Sequence, residues 1–518
     1  MIDFSKAKNF KLTGTNLTLE DLAFIAKGRP GQIQLEIDPT AWDKMKKSRE
    51  VVLNIVQKGK PVYGINTGFG ALASKQIAVE DLEQLQYNLI RSHCTGVGRP
   101  FSREITRGIM LARANCLIQG FSGVTPETIS LLLDFINYGI NPVIPEKGSV
   151  GASGDLAPLS HIALALIGEG EVEFEGKIMR SDFAIHQIGK MPAKLGPKDG
   201  LALINGTSVM LALGALALVE SKKLVTLADI ISCLTLDAVR GTASAFDERI
   251  SLLKPQPGQV DVSKNLLKVI KGSEIVLSHK EDGKVQDPYS LRCIPQVHGA
   301  CRQTLRHTEE VLNIELNSVT DNPLVFADTG DVISGGNFHG EALALTMDYL
   351  AMGLSEICNI AERRVEKMMN PHFSDLPAFL TKNSGLNSGL MIAHVTMAAL
   401  ASENKYLCHP ASVDSIPTST DKEDHVSMGV TSGRKLHEVL SNVQHGLAIE
   451  LLCNTQGIEF LRPLKTSPGL EKVITLVRKH VRPIEEDRTF HKDIENLTKL
   501  IQTDELVREV ESVTGTLA

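Results

Sequence analysis

The stretch Asn205-Gly206-Thr207-Ser208-Val209-Met210-Leu211-Ala212-Leu213-Gly214-Ala215-Leu216-Ala217-Leu218-Val219 opens the segment that decides the fold. From residue 205 to 246 the chain has no proline and keeps apolar residues at helical spacing. Charge returns only at Glu220-Ser221-Lys222-Lys223. A helix that is apolar on nearly every side has to be buried. The apolar run Val209–Val219 is too short to cross a bilayer. Residues 338–369, 388–408 and 425–456 repeat the long helical pattern. Together these segments predict a mainly α chain, a bundle of long helices packed side by side.

Outside those segments the pattern is mixed. Thr18-Leu19-Glu20-Asp21-Leu22 has the form of a capped helix start. Strand-like segments follow near Gln34–Asp38 and Val62–Ile65, and helical spacing returns from about Asp81. Glu171–Ile178 alternates and turns as a hairpin does, and Leu324-Val325-Phe326 and Val332-Ile333 flank a second turn. The expected division is an N-terminal active-site region over 1–204, a long-helix bundle over 205–463 and a C-terminal helical cap over 464–518.

Composition narrows the class. The 518 residues are 42% hydrophobic and 22% charged, as in an ordinary globular protein. A formal charge of −7 argues against a nucleic-acid partner, because phosphate binding needs basic patches. The start Met1-Ile2-Asp3-Phe4-Ser5-Lys6 lacks the apolar core of a secretory signal, and no segment spans a membrane. Eight scattered cysteines without a Cys-x-x-Cys pair read as reduced thiols of a cytoplasmic protein. The fifteen histidines form no recognisable ligand spacing, so no metal is expected.

The chemistry points to Gly148-Ser149-Val150-Gly151-Ala152-Ser153-Gly154-Asp155-Leu156-Ala157-Pro158-Leu159. Alone, Ala152-Ser153-Gly154 is an ordinary turn. Held in a tight bend, it has a second possibility. The Gly154 amide nitrogen attacks the Ala152 carbonyl carbon, and two waters leave, one of them carrying the Ser153 hydroxyl oxygen. The product is a methylidene-imidazolone, an electrophile of a kind that side chains do not offer. Three glycines in seven residues permit the required backbone angles. Asp155 is expected to cap the helix that follows, pinning the bend where free N–H groups favour negative charge.

This segment resembles the signature of the aromatic amino acid ammonia-lyases. So do Tyr63 with Gly64-Ile65-Asn66-Thr67-Gly68-Phe69-Gly70, Asn205-Gly206-Thr207, Gln286-Asp287-Pro288-Tyr289-Ser290-Leu291-Arg292 and Ser334-Gly335-Gly336-Asn337-Phe338-His339. The motifs stand in the family's order, from about Thr18 to about Pro463. The resemblance implies a mainly α homotetramer whose active sites draw on three subunits. It also implies a methylidene-imidazolone made from Ala152, Ser153 and Gly154, with no external cofactor. That group takes either the substrate's amine or its ring; the sequence leaves both open.

Roles follow residue by residue. Tyr63 is the candidate base for a barely acidic β-proton; otherwise it is a packed tyrosine. Tyr289 stands three residues before Arg292, and Arg292 suits a bidentate clamp on the substrate carboxylate. The ordinary fate of such an arginine is a surface ion pair. Asn205 begins a long helix and reads both as an N-cap and as a polar contact to the substrate. Gln286 and Phe338 resemble pocket residues of the family.

Substrate choice rests on two places. Ser92-His93 resembles the histidine-directed members, although some tyrosine-directed ones share it. Glu423, within Thr418-Ser419-Thr420-Asp421-Lys422-Glu423-Asp424-His425, stands where tyrosine and phenylalanine enzymes commonly carry Gln. A carboxylate accepts from an imidazole N–H, whereas a phenyl ring gives it nothing in return for desolvation. Lys422 departs from the usual Gln or small residue and puts the local electrostatics in doubt. The implied reaction is removal of ammonia from L-histidine to give trans-urocanate, the first step of histidine degradation. The alternatives are a tyrosine ammonia-lyase or 2,3-aminomutase and, less favoured, an inactive helical relative.

Overall fold

The computed structural model describes residues 4–279 and 285–518; of the N-terminal segment quoted above, Met1, Ile2 and Asp3 lie outside them. The fold is mainly α, with twenty-one α-helices among the described residues and only short strands. The four long patterns form the helices Ser208–Ala238, Glu341–Met369, Met391–Leu407 and Gly429–Glu459. The first starts three residues after Asn205. It stops before Arg240, which takes a positive φ of 50°, while Gly241 N–H closes on Leu236 O at 2.8 Å. Every residue from 201 to 218 is buried, as an all-round apolar helix requires.

The chain forms two compact units, each assembled from separate stretches of sequence. One comprises Met1–Val219, Glu309–Asp348 and Pro410–Arg434. In it Thr18 Oγ1 accepts from Asp21 N–H and starts the helix Leu19–Lys27. Ile33–Ile37 pairs in parallel with Lys8–Leu12, a strand that sequence spacing did not reveal. Val62–Ile65 is not a strand. Its backbone turns back so that Ile65 N–H reaches Val62 O, and Asn66 Oδ1 accepts from Val62 N–H at 2.8 Å. Both hairpins form, Glu171–Phe174 with Lys177–Arg180 and Leu324–Phe326 with Asp331–Ile333.

Two buried arginines hold this unit by its helix ends. Arg107 donates to Ile25 O, Ala26 O and Ile136 O, the last carbonyls of two helices. Arg113 donates to Ala202 O within the short helix Asp199–Ile204. Such carbonyls have no partner within their own helix, and a guanidinium also matches the negative helix end.

The other unit comprises Glu220–Thr308, Tyr349–His409 and Lys435–Ala518. Its interior holds a polar core in which Asp229 accepts from His298 at 2.8 Å, Arg302 at 2.7 Å and Asn265 at 3.0 Å. Burial pushes Asp229 up, but Arg302 and His298 hold it below the ordinary carboxylate range. Beside it Arg364 pairs with Glu450, both fully buried. Removing one partner of such a pair leaves an unpaired charge, at a cost of about 3–5 kcal/mol.

Candidate active site

The glycine-rich segment reaches the site because of two contacts. Gly154 has a φ of 71°, and a Cβ there would stand 2.2 Å from Gly206 O. Only glycine permits both the left-handed backbone and this approach. Asp155 N–H then donates to Gly206 O at 2.8 Å, tying the triplet to the turn before the long helix Ser208–Ala238.

Asp155 does not cap the helix Leu156–Leu166 with its side chain. Its Oδ2 accepts from Val209 N–H at 2.8 Å and Met210 N–H at 3.1 Å. The first-turn donors of Ser208–Ala238 are therefore satisfied by a carboxylate from a distant segment. Asn205, whose plain reading was the N-cap of that helix, instead ends the helix Asp199–Ile204. Its amide donates to Asp321 Oδ1 at 3.2 Å and Asn322 O at 3.1 Å. Asp321 is in turn paired with Lys198 at 2.7 Å, both fully buried. With its N–H groups spent, Asn205 offers its neighbourhood an acceptor oxygen.

A cavity of about 1160 Å³ opens over the triplet. Tyr63, His93, Ala152, Ser153, Asn205, Phe338 and Glu423 all line it. Gly154 lines a smaller adjoining pocket together with His93 and Glu423. Gln286, Tyr289 and Arg292 belong to the other compact unit and do not line the cavity. Tyr289 and Arg292 lie on one short helix, with the guanidinium 4.4 Å from the Tyr289 ring centre. Tyr289 is 70% exposed, and Gln286 is exposed.

Glu423 is the most elaborately held side chain of the cavity wall. Its Oε2 accepts from Thr418 Oγ1 at 2.7 Å and Ser419 Oγ at 2.8 Å. Its Oε1 accepts from Ser153 Oγ at 3.1 Å. Backbone hydrogen bonds pair Thr418 with Glu423 in both directions. Between them Ser419, Thr420 and Asp421 have φ of 51°, 53° and 63°, three consecutive left-handed residues without a glycine. Each costs of order 1–3 kcal/mol, and such strain concentrates where a side chain must be aimed. Lys422 lines the cavity, yet no ion pair joins it to Glu423 among the described residues.

His93 is held from the opposite segment. Its Nδ1 lies 2.8 Å from Leu89 O, which fixes Nδ1–H as a donor and Nε2 as the lone-pair nitrogen. Burial lowers its pKa, while the negative charge of Glu423 draws it back up. The cavity therefore presents a neutral imidazole, an anchored carboxylate, a phenol and a serine within a glycine-rich bend. Such a set offers hydrogen-bond donors and acceptors for a polar ligand and groups able to exchange a proton.

Several contributors escaped sequence reasoning. Ser149 Oγ accepts from Gly151 N–H at 3.1 Å and stands 3.4 Å from Gly154 O and 3.3 Å from Asp155 Oδ1. It bridges the two flanks of the triplet. Lys198 and Asp321 brace Asn205 from behind. His339, Glu341 and His425 bring one ligand-type atom each within 4.8 Å of one another, although the expectation from spacing was no metal set. Ser149 acts within the glycine-rich segment, whereas Lys198 with Asp321, and His339 with Glu341 and His425, draw on different parts of the chain, so no short motif signals them.

The geometry agrees with a match along most of the sequence. Residues 17–479 match the model of a family described as aromatic amino acid lyase. The chain belongs to the aromatic amino acid lyase family. Among relatives in this family, a histidine ammonia-lyase from Caldanaerobacter subterraneus subsp. tengcongensis is 49% identical, over 97% of this chain and 99% of the relative. A crystal structure of histidine ammonia-lyase from Trypanosoma cruzi superposes with a TM-score of 0.91 at 44% identity, covering 98% of this chain and 96% of that one. A tyrosine aminomutase from Streptomyces globisporus superposes with a TM-score of 0.92 at 36% identity, covering 99% and 100%. Members named for different substrates thus share one backbone, and substrate choice must be sought in side chains of the cavity. Among the described residues, no helix is long and apolar enough to cross a membrane.

Proposed function

We propose that this chain is a histidine ammonia-lyase, converting L-histidine to trans-urocanate and ammonia without oxidation. The observation that carries the proposal is the carboxylate of Glu423, anchored by three hydroxyls on the wall of the cavity that also holds Ser153 and His93. An imidazole N–H matches such a carboxylate; a phenyl ring does not.

A methylidene-imidazolone closed from Ala152, Ser153 and Gly154 fits the site. Gly154 has no side chain to obstruct its nitrogen, its left-handed φ lets the segment pack against Gly206, and Ala152 and Ser153 line the cavity. When formed, the group supplies an electron sink that the standard side chains lack. The rest falls to residues of the chain. Tyr63 takes the β-proton. Glu423 and His93 hold the imidazole. Asn205, braced by Asp321, presents a polar contact, and Phe338 packs against the substrate. Excluding water strengthens each of these contacts.

Arg292, Tyr289 and Gln286 enter the proposal as residues that complete the active site in a cytoplasmic homotetramer, with Arg292 on the substrate carboxylate. In that scheme residues 1–204 supply the reactive segment, 205–463 the shared bundle and 464–518 a cap. No metal or external cofactor takes part in the elimination.

The test compares substrates on the purified enzyme. L-histidine should give the ultraviolet band of urocanate together with stoichiometric ammonia, and L-tyrosine should give neither coumarate nor β-tyrosine. Comparable turnover of tyrosine would replace the proposal with the tyrosine reading, which the equally close fold of the aminomutase keeps open.

A further inference from the structure

We propose that His339, Glu341 and His425 form a binding site for one divalent transition ion of the zinc, cobalt or nickel class. The three offer two imidazole nitrogens and one carboxylate oxygen, all within 4.8 Å of one another. The two rings lie with centres 5.6 Å apart and planes tilted by 33°. Glu341 Oε2 is buried and has no hydrogen-bond partner. A buried carboxylate oxygen without a donor is costly, and a cation is one of the few things that relieves it.

The backbone holds two of the three ligands firmly. Glu341 is the first residue of the helix Glu341–Met369, and His339 sits on the turn before it, its N–H donating to Gly336 O at 2.9 Å. Gly340 between them packs closely on Met210, whose Sδ would stand 2.2 Å from a Cβ placed there. His425 is exposed and precedes the buried Val426, whose N–H is fixed on Ser415 Oγ at 3.0 Å. Around a tetrahedral ion with bonds of about 2.0–2.1 Å, ligand atoms stand roughly 3.3–3.4 Å apart. The three ligand atoms, all within 4.8 Å of one another, have to close by no more than about 1.5 Å to reach that spacing.

The donor set selects the ion. Two imidazoles with one carboxylate suit borderline ions such as Zn²⁺, and three protein ligands leave a fourth position for water or a ligand. Ca²⁺ and Mg²⁺ prefer a shell of oxygens and are disfavoured. His339 and His425 line the large cavity, so the fourth position has access to solvent and to small molecules there. This inference rests on those three side chains alone and stands apart from the substrate assignment.

The test is titration of the full-length enzyme, free of any histidine tag and stripped by a chelator, with Co²⁺ and then Zn²⁺. One Co²⁺ per chain should bind with visible d–d absorption of low coordination number and without a thiolate charge-transfer band, and Zn²⁺ should displace it. Glu341→Gln and His425→Ala should each weaken binding by at least about 100-fold, beyond the 10–100-fold expected for outer partners. His425 is exposed, so its variant tests the site without disturbing the core. Absence of binding in the parent enzyme, undiminished binding in His425→Ala, or a thiolate band showing cysteine ligation would each overturn the proposal.

Discussion

Ser153 and Glu423, 270 residues apart in sequence, are joined by a hydrogen bond of 3.1 Å from hydroxyl to carboxylate. One is the residue that ring closure would consume; the other is the residue assigned to the substrate's imidazole. On the proposed function, the contact would put the making of the electrophile and the choice of substrate in one place.

Ser153→Ala should leave the fold intact and remove the hydroxyl that ring closure must expel. The expected intact mass is that of the uncyclised chain, whereas the parent enzyme should be lighter by two waters. Histidine turnover should fall by at least about 10²–10³-fold, the scale of losing a main electrostatic stabiliser. A parent chain with full encoded mass would remove the electrophile from the mechanism.

Glu423→Gln keeps an acceptor for Thr418 and Ser419 but loses the charge. A hydrogen bond to a charged group contributes about 1.5–3 kcal/mol, so kcat/KM for histidine should drop by about 10–100-fold. The thermal midpoint should change little. Unchanged kinetics with unchanged stability would release Glu423 from its role.

Asp155 yields a prediction in pH. Burial raises its pKa to about 7, against the Met210, Val209 and Ser149 donors that pull it down. In the unfolded chain the value is about 3.9. The folded state thus holds the proton more tightly, and its stability declines as pH rises through the window from about 4 to about 7. Asp155→Asn cannot ionise. Its thermal midpoint relative to the parent should therefore climb across that window and level off above it. A difference that is constant from pH 4 to 8 would show an ordinary carboxylate there.

Ser149→Ala removes the bridge between Gly151 N–H and the Gly154–Asp155 carbonyl end. Loss of water should still occur but more slowly, by about fivefold to tenfold if one neutral hydrogen bond of about 1 kcal/mol is lost. Time-resolved intact mass after refolding checks this. Equal rates in both proteins would make Ser149 a bystander.

The long helices were legible because their signal is local. Ser208–Ala238 and Glu341–Met369 carry their own periodicity, and nothing distant has to be known to read it. Most contributions to the site that were missed are non-local; Ser149, within the glycine-rich segment itself, is the exception. Asp155 looked like a cap for the helix beside it, but its carboxylate satisfies a helix start 54 residues away. Val62–Ile65 has strand-like composition, yet the Asn66 side chain folds it into a turn. His339, Glu341 and His425 converge only once two segments are packed together. Tyr63, His93, Asn205, Phe338 and Glu423 were named from motifs, and the cavity collects them. Arg292, Tyr289 and Gln286, named from one motif, lie in the other compact unit and do not line the cavity.

The bond between Ser153 and Glu423 also bears on how the enzyme comes into being. In a freshly folded chain, Glu423 Oε1 is occupied by the hydroxyl of Ser153. On the proposed chemistry that hydroxyl departs with one of the two waters, and Oε1 is vacated in the same event. Ring closure would then free, at Glu423, the hydrogen-bonding position that the Ser153 hydroxyl takes in the new polypeptide, so that forming the electrophile would also ready the carboxylate beside it.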